Sequence, residues 1–350
     1  MILAIVEEQS SFTGGNTVTR RNLRFLRRVA DREARELKVV STGRMPRNVF
    51  SRFMFILFSI HPVLLLEIRT KSLSSSGKLD IWLDRSTMGF IGFFLRCTLR
   101  RSELKLHTFF HNNEVEYKRS IAKTRMGWRY LLWHLFLVPI AAIQQRLSLV
   151  LSHKCYFIST SDRLELSAST GLVLPPTWEK LGAEKREILN RRESFCLVVG
   201  SAFPPNVSGM AWFKSKIAPF LPIKTIFVGG RLSSVFNSDR HVEVLADVED
   251  IVPFYEAAKV VVVPVFYGAG LKVKLAEALH FGCGVVATSF SVRGLDQLGS
   301  FLASAQLIEA NDRDFREKIV QYLESNQERF PQGKFSDERY FSCFIRYFEC

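Results

Sequence analysis

No two cysteines in the chain are spaced C-x-x-C. There are six in 350 residues: Cys97, Cys155, Cys196, Cys283, Cys343 and Cys350. Several lie in apolar, strand-like runs. That distribution argues against a zinc site or a disulfide framework and suits a reducing compartment. Long uninterrupted apolar runs are missing too. The two best, 53–68 and 130–143, are broken by His61-Pro62 and by His134 with Pro139. Both fall short of the roughly 20 residues a helix needs to cross a bilayer. Each reads either as a core or interface helix or as a helix lying in a membrane surface. Neither stands at the N-terminus as a signal peptide would. Helix-turn-helix, zinc-finger and RNP-type signatures are also lacking, so no nucleic-acid partner is expected.

Acidic residues are the minority, 34 against 48 lysines and arginines, for a net charge of +14. Such an excess fits nucleic acid, an anionic membrane or a phosphorylated ligand. Basic and aromatic residues mix in 50–58, 90–101 and 125–136, which favours peripheral contact with an anionic membrane over nucleic acid. At 47% hydrophobic and 23% charged the chain is globular, and its length allows two domains.

The most informative stretch is 258–296. An apolar, β-branched run, Val260 to Val265, reads as a buried parallel strand. A turn, Gly268-Ala269-Gly270, leads into a helix over 272–281 that Gly282 and Gly284 stop, and a second buried strand spans 285–288. A strand entering a helix through glycines aims free N–H groups and the positive helix end at one point. Gly268 and Gly270 let an anion approach the backbone, and Lys272 and Lys274 add cations. Glu277, a turn or so further on, is placed to accept hydrogen bonds from hydroxyls of the same ligand. A nucleotide diphosphate would present that combination, although an ordinary β-α-β turn explains the same pattern.

With its flanking residues, this string, P-x3-G-x-G-x-K-x-K-x2-E-A-L-x2-G-x-x-V-V-x-T, resembles the donor-binding segment of GT-B glycosyltransferases, especially glycosyltransferase family 4 (group 1). Leu197 to Ser201 with Pro204-Pro205-Asn206, His111-Asn112-Asn113-Glu114, and Ser159 to Asp162 extend the resemblance from near residue 1 to about 297. It implies an α/β GT-B fold: two Rossmann-like domains with parallel sheets facing across a cleft. The expected domains are 1–172 on the acceptor side and 194–330 on the donor side, with a helix in 331–350 crossing back to the first.

The resemblance also implies an activity, transfer of a sugar from a nucleotide diphosphate sugar to a hydroxyl acceptor. The acceptor would be a saccharide or a lipid-linked one, in cell-envelope polysaccharide or glycolipid synthesis. The enzyme would be hexosyltransferase-type, metal-independent and cytoplasmic, peripheral on the inner face of the membrane, with no cofactor. His111, at the end of the strand 104–110, would lie near the transferred sugar, and Lys272 would be the second catalytic residue. Donor-binding positions would be Gly14, Gly15, Gly200, Ser201, Arg231, Gly268, Gly270, Lys272, Lys274 and Glu277. Gly14 and Gly15 read equally well as a plain turn, and Arg231 as a solvated side chain.

Three places depart from the family pattern. Ser201 and Asn206 stand where many members carry an arginine and a lysine. Ala269 stands where an acid eight positions before Glu277 would belong, which weakens the expectation of a retaining outcome. A GT-B-fold nucleotide-sugar epimerase and a non-catalytic nucleotide-sugar-binding subunit are the alternatives. Asp312-Arg313-Asp314 resembles a metal-binding D-x-D, but its place at a helix start reads as capping.

Overall fold

The structure is a computed structural model describing residues 1–7, 14–42, 51, 55, 67–68, 70, 78–99, 104–123, 127–179, 193–295, 307–311, 314–324 and 335–349. The chain packs into two compact units. One comprises Met1–Ser10, Val18–Pro175 and Phe341–Cys350; the other comprises Ser11–Thr17 and Pro176–Tyr340. The passage between them falls at Pro175/Pro176, and the chain re-enters the first unit at Phe341.

In the first unit β1 (Ile2–Val6), β2 (Leu37–Ser41), β3 (Leu79–Leu83), β4 (Leu104–Phe110), β5 (Lys154–Phe157) and β6 (Leu172–Val173) form one sheet, ordered β2-β1-β3-β4-β5-β6. All described pairings are parallel. Both faces of such a sheet are covered, so its strands are mostly apolar and every residue of β1 and β3 is buried, Asp80 included. Helices α1 (Gly14–Arg32), α2 (Gly89–Leu99) and α3 (Glu114–Ala122) follow β1, β3 and β4. Leu3, Ile5, Ile81, Leu83, Ile91, Leu95 and Leu106 make one core.

The run near 130 is longer than its sequence pattern shows. Helix α4 (Trp128–Leu132) continues through a π-helical turn, Trp133–Leu137, into α5 (Val138–Leu151). Tyr130–Leu151 thus forms 22 continuous residues, long and apolar enough to cross a membrane by length and composition. Its buried side carries Ala141, Gln144, Gln145 and Ser148, while Leu131, Leu135, Phe136, Ile143 and Val150 are exposed. The apolar run 53–68 lies almost wholly outside the described residues.

Helix α6 (Thr160–Glu165) is capped by Ser159, whose hydroxyl accepts from the Asp162 N–H at 3.1 Å.

The second unit repeats the plan. Strands β7 (Glu193–Val199), β8 (Lys224–Gly229), β9 (Val242–Ala246), β10 (Ala258–Val263), β11 (Gly284–Thr288) and β12 (Leu307–Ala310) are ordered β12-β11-β10-β7-β8-β9, all parallel. Helices α7 (Pro204–Lys216), α8 (Val252–Ala257) and α9 (Val273–His280) lie between them, and α10 (Phe315–Glu324) follows β12. Val198, Met210, Phe213, Phe227, Val260, Val262 and Val286 form the core. Helix α7 begins at Pro204, since Pro suits a first turn whose N–H groups have no helical partner. Gly209 lets α7 lie against the end of β10, because a Cβ there would sit 1.6 Å from the Pro264 carbonyl oxygen.

The last helix, α11 (Asp337–Glu349), straddles the division between units. Its Phe344 and Phe348 rings pack in the first unit against Trp82 and His107, at centroid distances of 5.9 and 4.3 Å. In the second unit the chain around Trp178 pairs with 335–337: Trp178 N–H donates to the Phe335 carbonyl and Asp337 N–H to that of Trp178, both at 2.8 Å. Of the sequence D-x-D, Asp312 and Arg313 lie outside the described residues. The Asp314 N–H donates to the Asn311 side chain at 3.2 Å.

Candidate functional site

In a doubly wound sheet the strand order reverses at one point, and the loops leaving the neighbouring strand ends there diverge into a crevice. In the second unit that point lies between β7 and β10. The loop after β7 holds Gly200 and Ser201, and the loop after β10 holds Gly268, Ala269 and Gly270. The sequence candidates therefore fall where the topology opens the sheet.

Gly268 and Gly270 have φ of 125° and 68°, values that side-chain-bearing residues rarely adopt. The turn they make sends the chain into α9. Lys272, just ahead of α9, bends its ammonium back to donate to the carbonyls of Ala269 at 3.1 Å and Gly270 at 2.6 Å. It lies 4.9 Å from the centre of the Phe290 ring. Lys274, in α9, reaches across to the first turn of α7, donating to the amide oxygen of Asn206 at 2.7 Å. The Asn206 amide nitrogen in turn donates to the Ser201 carbonyl at 3.2 Å. Position 206, read in the sequence as a missing cation, thus draws a lysine in from α9.

Burial, reinforced by repulsion from Lys272, pushes the Lys274 ammonium down to about 7, against a smaller opposing pull from Glu277. Burial also pushes the Glu277 carboxyl up to about 7, although hydrogen bonds from Tyr255 and Thr17 and the Lys274 charge oppose it. Tyr255, fully buried, donates to Glu277 at 3.0 Å, and Thr17 lies 3.5 Å away. Thr17 belongs with Ser11–Thr17, the stretch that packs with the second unit and contains Gly14 and Gly15 at the start of α1. A lysine and a carboxyl poised near neutrality, with Lys272 close by and beside a glycine turn, make a site suited to an anion carrying hydroxyls.

Arg231 is exposed. Its backbone takes a left-handed φ of 59°, and its N–H donates to Asp247 at 2.9 Å. The Gly230 carbonyl accepts from the Ala202 N–H at 2.9 Å, so this turn braces the Gly200–Ser201 loop.

His111 belongs to the first unit, at the end of β4 as expected, with only 4% of its surface exposed. Its Nε2 lies 3.3 Å from the Asp84 carboxylate. Asp84, buried just past the end of β3, also accepts from Asn22 at 2.7 Å, from the Trp82 indole at 2.9 Å and from Thr19. Burial would raise its carboxyl, but the bonds from His111, Thr19 and Trp82 outweigh that and hold it below the usual range. Glu114 is the first residue of α3, whose cap is Asn113. Asp84, Tyr255 and Asn206 were not among the sequence candidates. Asp84, a charged residue straight after an apolar buried strand, carried the one readable signal.

Residues 193–325 match the family model of group 1 glycosyl transferases. The whole chain has the GT-B fold. Its solved likenesses include Anabaena HepE in complex with UDP and glucose, 11% identical with a TM-score of 0.63, covering 100% of this chain and 99% of that one. WaaG, a glycosyltransferase involved in lipopolysaccharide biosynthesis, is 14% identical with a TM-score of 0.61, covering 93% and 91%. An E. coli trehalose-6-phosphate protein bound with UDP-2-fluoro glucose is 13% identical with a TM-score of 0.57, covering 99% and 98%. A search of curated proteins found no match. Every second-unit candidate from Gly200 to Glu277 lies within the matched glycosyl transferase domain.

Proposed function

We propose that the protein is a glycosyltransferase that moves a hexose from a nucleotide diphosphate sugar to a hydroxyl acceptor. The observation that carries this reading is the second-unit turn where Gly268, Gly270, Lys272 and Lys274 converge at the sheet's reversal point. Breaking the sugar–phosphate bond builds negative charge on the leaving diphosphate. Fixed N–H groups and two ammonium groups stabilise that charge without a metal ion. Glu277, oriented by Tyr255, accepts from the ribose hydroxyls, and His111 faces the sugar and the acceptor. Retention of configuration is the proposed outcome, by the family likeness.

The proposed acceptor is a lipid-linked or saccharide intermediate of envelope polysaccharide or glycolipid synthesis, met at the cytoplasmic face of a membrane. The outward apolar side of α4–α5 supports this, with Lys118, Arg119, Lys123 and Arg146 on the same helices or beside them. Large exposed apolar patches mark contact surfaces, and cations add attraction to anionic lipid.

A nucleotide-sugar-binding subunit without turnover is the second reading, favoured by Ala269 and Ser201. The test is a melting-temperature screen of the purified protein against nucleotide sugars, followed by turnover of those that bind. Lys272→Ala should keep the fold and lower kcat by about 100-fold, a typical loss for one transition-state donor. Unchanged turnover in the folded variant removes the assignment. Binding with neither transfer nor hydrolysis moves the protein to the second reading.

A further inference from the structure

Asn206 stands where α7 meets the glycine turn, and its amide is seated on three sides. Pro205, the residue before it, packs beside that turn: a Cβ added at Gly268 would lie 3.6 Å from the proline ring. Gly200 leaves the room that the amide occupies, since a Cβ there would come within 3.0 Å of the Asn206 amide carbon. The Ser201 carbonyl accepts from the amide nitrogen, and Lys274 donates to the amide oxygen. All of these residues belong to the second unit.

The two contacts fix how the amide points. A carbonyl oxygen only accepts. The amide nitrogen must therefore face Ser201, which leaves the amide oxygen for Lys274. That oxygen accepts from an amine as well as from an ammonium, so Lys274 stays docked whether or not it carries the extra proton. A carboxylate in the same place would hold the charged form, and a second ammonium would repel it. The other titratable groups around Lys274 are Lys272 ahead of α9, Glu277 on α9, and Tyr255 of α8, whose hydroxyl lies 3.4 Å from the Lys274 carbonyl oxygen. Residues 200–207 contain no titratable side chain.

We propose that Asn206 is a positioning residue that docks the Lys274 side chain against the loop after β7 in both of its protonation states, so that α9 supplies the cation for an anionic group at the start of α7. Pro204 and Pro205 have no N–H to offer such a group, and Ser201 and Asn206 carry no charge. The inference rests on the glycosyl-transfer reading for the identity of the anion, a diphosphate. The pairing of Asn206 with Lys274 does not. Its consequence is that a cation placed at position 206 harms the site as long as Lys274 is present.

The test uses the full chain labelled with 13C-lysine, with the Lys274 signals assigned by their loss in Lys274→Arg. Without ligand, Asn206→Asp should raise the midpoint of the Lys274 titration by about one unit or more. Asn206→Leu, similar in bulk but with no acceptor, should lower it. Binding of UDP-glucose is then measured by calorimetry at about pH 8. Asn206→Leu should weaken it about 10-fold, the scale of one lost hydrogen bond to a charged group, and Asn206→Lys should weaken it at least as much. The exchange of the two residues, Asn206→Lys with Lys274→Asn, should recover about fivefold or more over the weaker single variant, because residues that act as a pair are not additive.

Should Asn206→Leu fail to fold, Asn206→Ala takes its place with the same expected directions. A Lys274 midpoint that either substitution leaves unmoved overturns the pairing. So does tighter binding by Asn206→Lys, or an exchange variant whose loss is the product of the two single losses. If UDP-glucose does not bind the wild type, the same series is run with inorganic pyrophosphate. The expected pattern with pyrophosphate alone upholds the positioning role while the glycosyl-transfer reading loses its donor. Binding of neither anion overturns the supply of a cation from α9.

Discussion

Binding of a nucleotide diphosphate sugar should draw a proton from solution. Lys274 is held near 7 in the free protein against an ordinary value of 10.5. At about pH 8 only about a tenth of its side chains are charged. A diphosphate seated at the glycine turn supplies the negative charge that the site lacks and restores the ammonium. Return to the ordinary value means uptake of about 0.9 proton. Glu277, near 7 as well, works the other way. Hydroxyl donors favour its ionised form and release the roughly 0.1 proton it still holds at that pH. The net expectation is an uptake of about 0.8 proton.

The sign follows from linkage. A group whose value rises on binding strengthens binding at low pH and weakens it as pH climbs from the free towards the bound value. Between about pH 7.5 and 8.5 the affinity should fall roughly sixfold, about 1.1 kcal/mol. UDP-glucose is the suitable probe, because its diphosphate has no proton to lose in this window. Isothermal titration in buffers of different ionisation heat counts the protons directly. Lys274→Arg, permanently charged, should bind with the uptake abolished. An uptake below about 0.2 proton in the wild type, or one that persists in Lys274→Arg, would refute the reasoning.

Two further outcomes follow from other parts of the chain. His280 is buried against Trp178 at 5.2 Å, with neither ring nitrogen bonded among the described residues, and burial lowers it to about 4. Because the unfolded chain binds this proton first, stability should drop as pH falls through the window from about 6.5 to about 4. By about pH 5 the loss is roughly 2 kcal/mol. Denaturant unfolding of His280→Leu should lack that share, and an equal acid loss in both proteins would exclude it. For the outward face of α4–α5, the intact protein should float with phosphatidylglycerol-containing vesicles better than with pure phosphatidylcholine. Leu135→Glu with Phe136→Glu should abolish flotation, since each lost side chain removes about 2 kcal/mol of apolar burial; undiminished flotation would rule the face out.

What could be read in advance divides along a physical line. Strands of a covered parallel sheet announce themselves, because burial on both faces leaves only apolar residues, as in Val260 to Val263 and Ile2 to Val6. The glycines at 268 and 270 were legible for a similar reason: backbone geometry permits few other residues there.

The residues that tune the site left no periodic mark. Asn206 looked like a lost cation because its contribution depends on Lys274, 68 positions away in sequence and 2.7 Å away in space. Tyr255 lies in a helix of six residues and acts on Glu277 from there. Asp84 and His111 sit 27 positions apart and meet only because β3 and β4 are paired in register, so that both side chains emerge at one end of the sheet. Chemistry that comes from pairing across elements becomes visible once strand order is known. The order β12-β11-β10-β7-β8-β9 alone would have directed attention to the loops after β7 and β10, and through them to the Asn206–Lys274 contact.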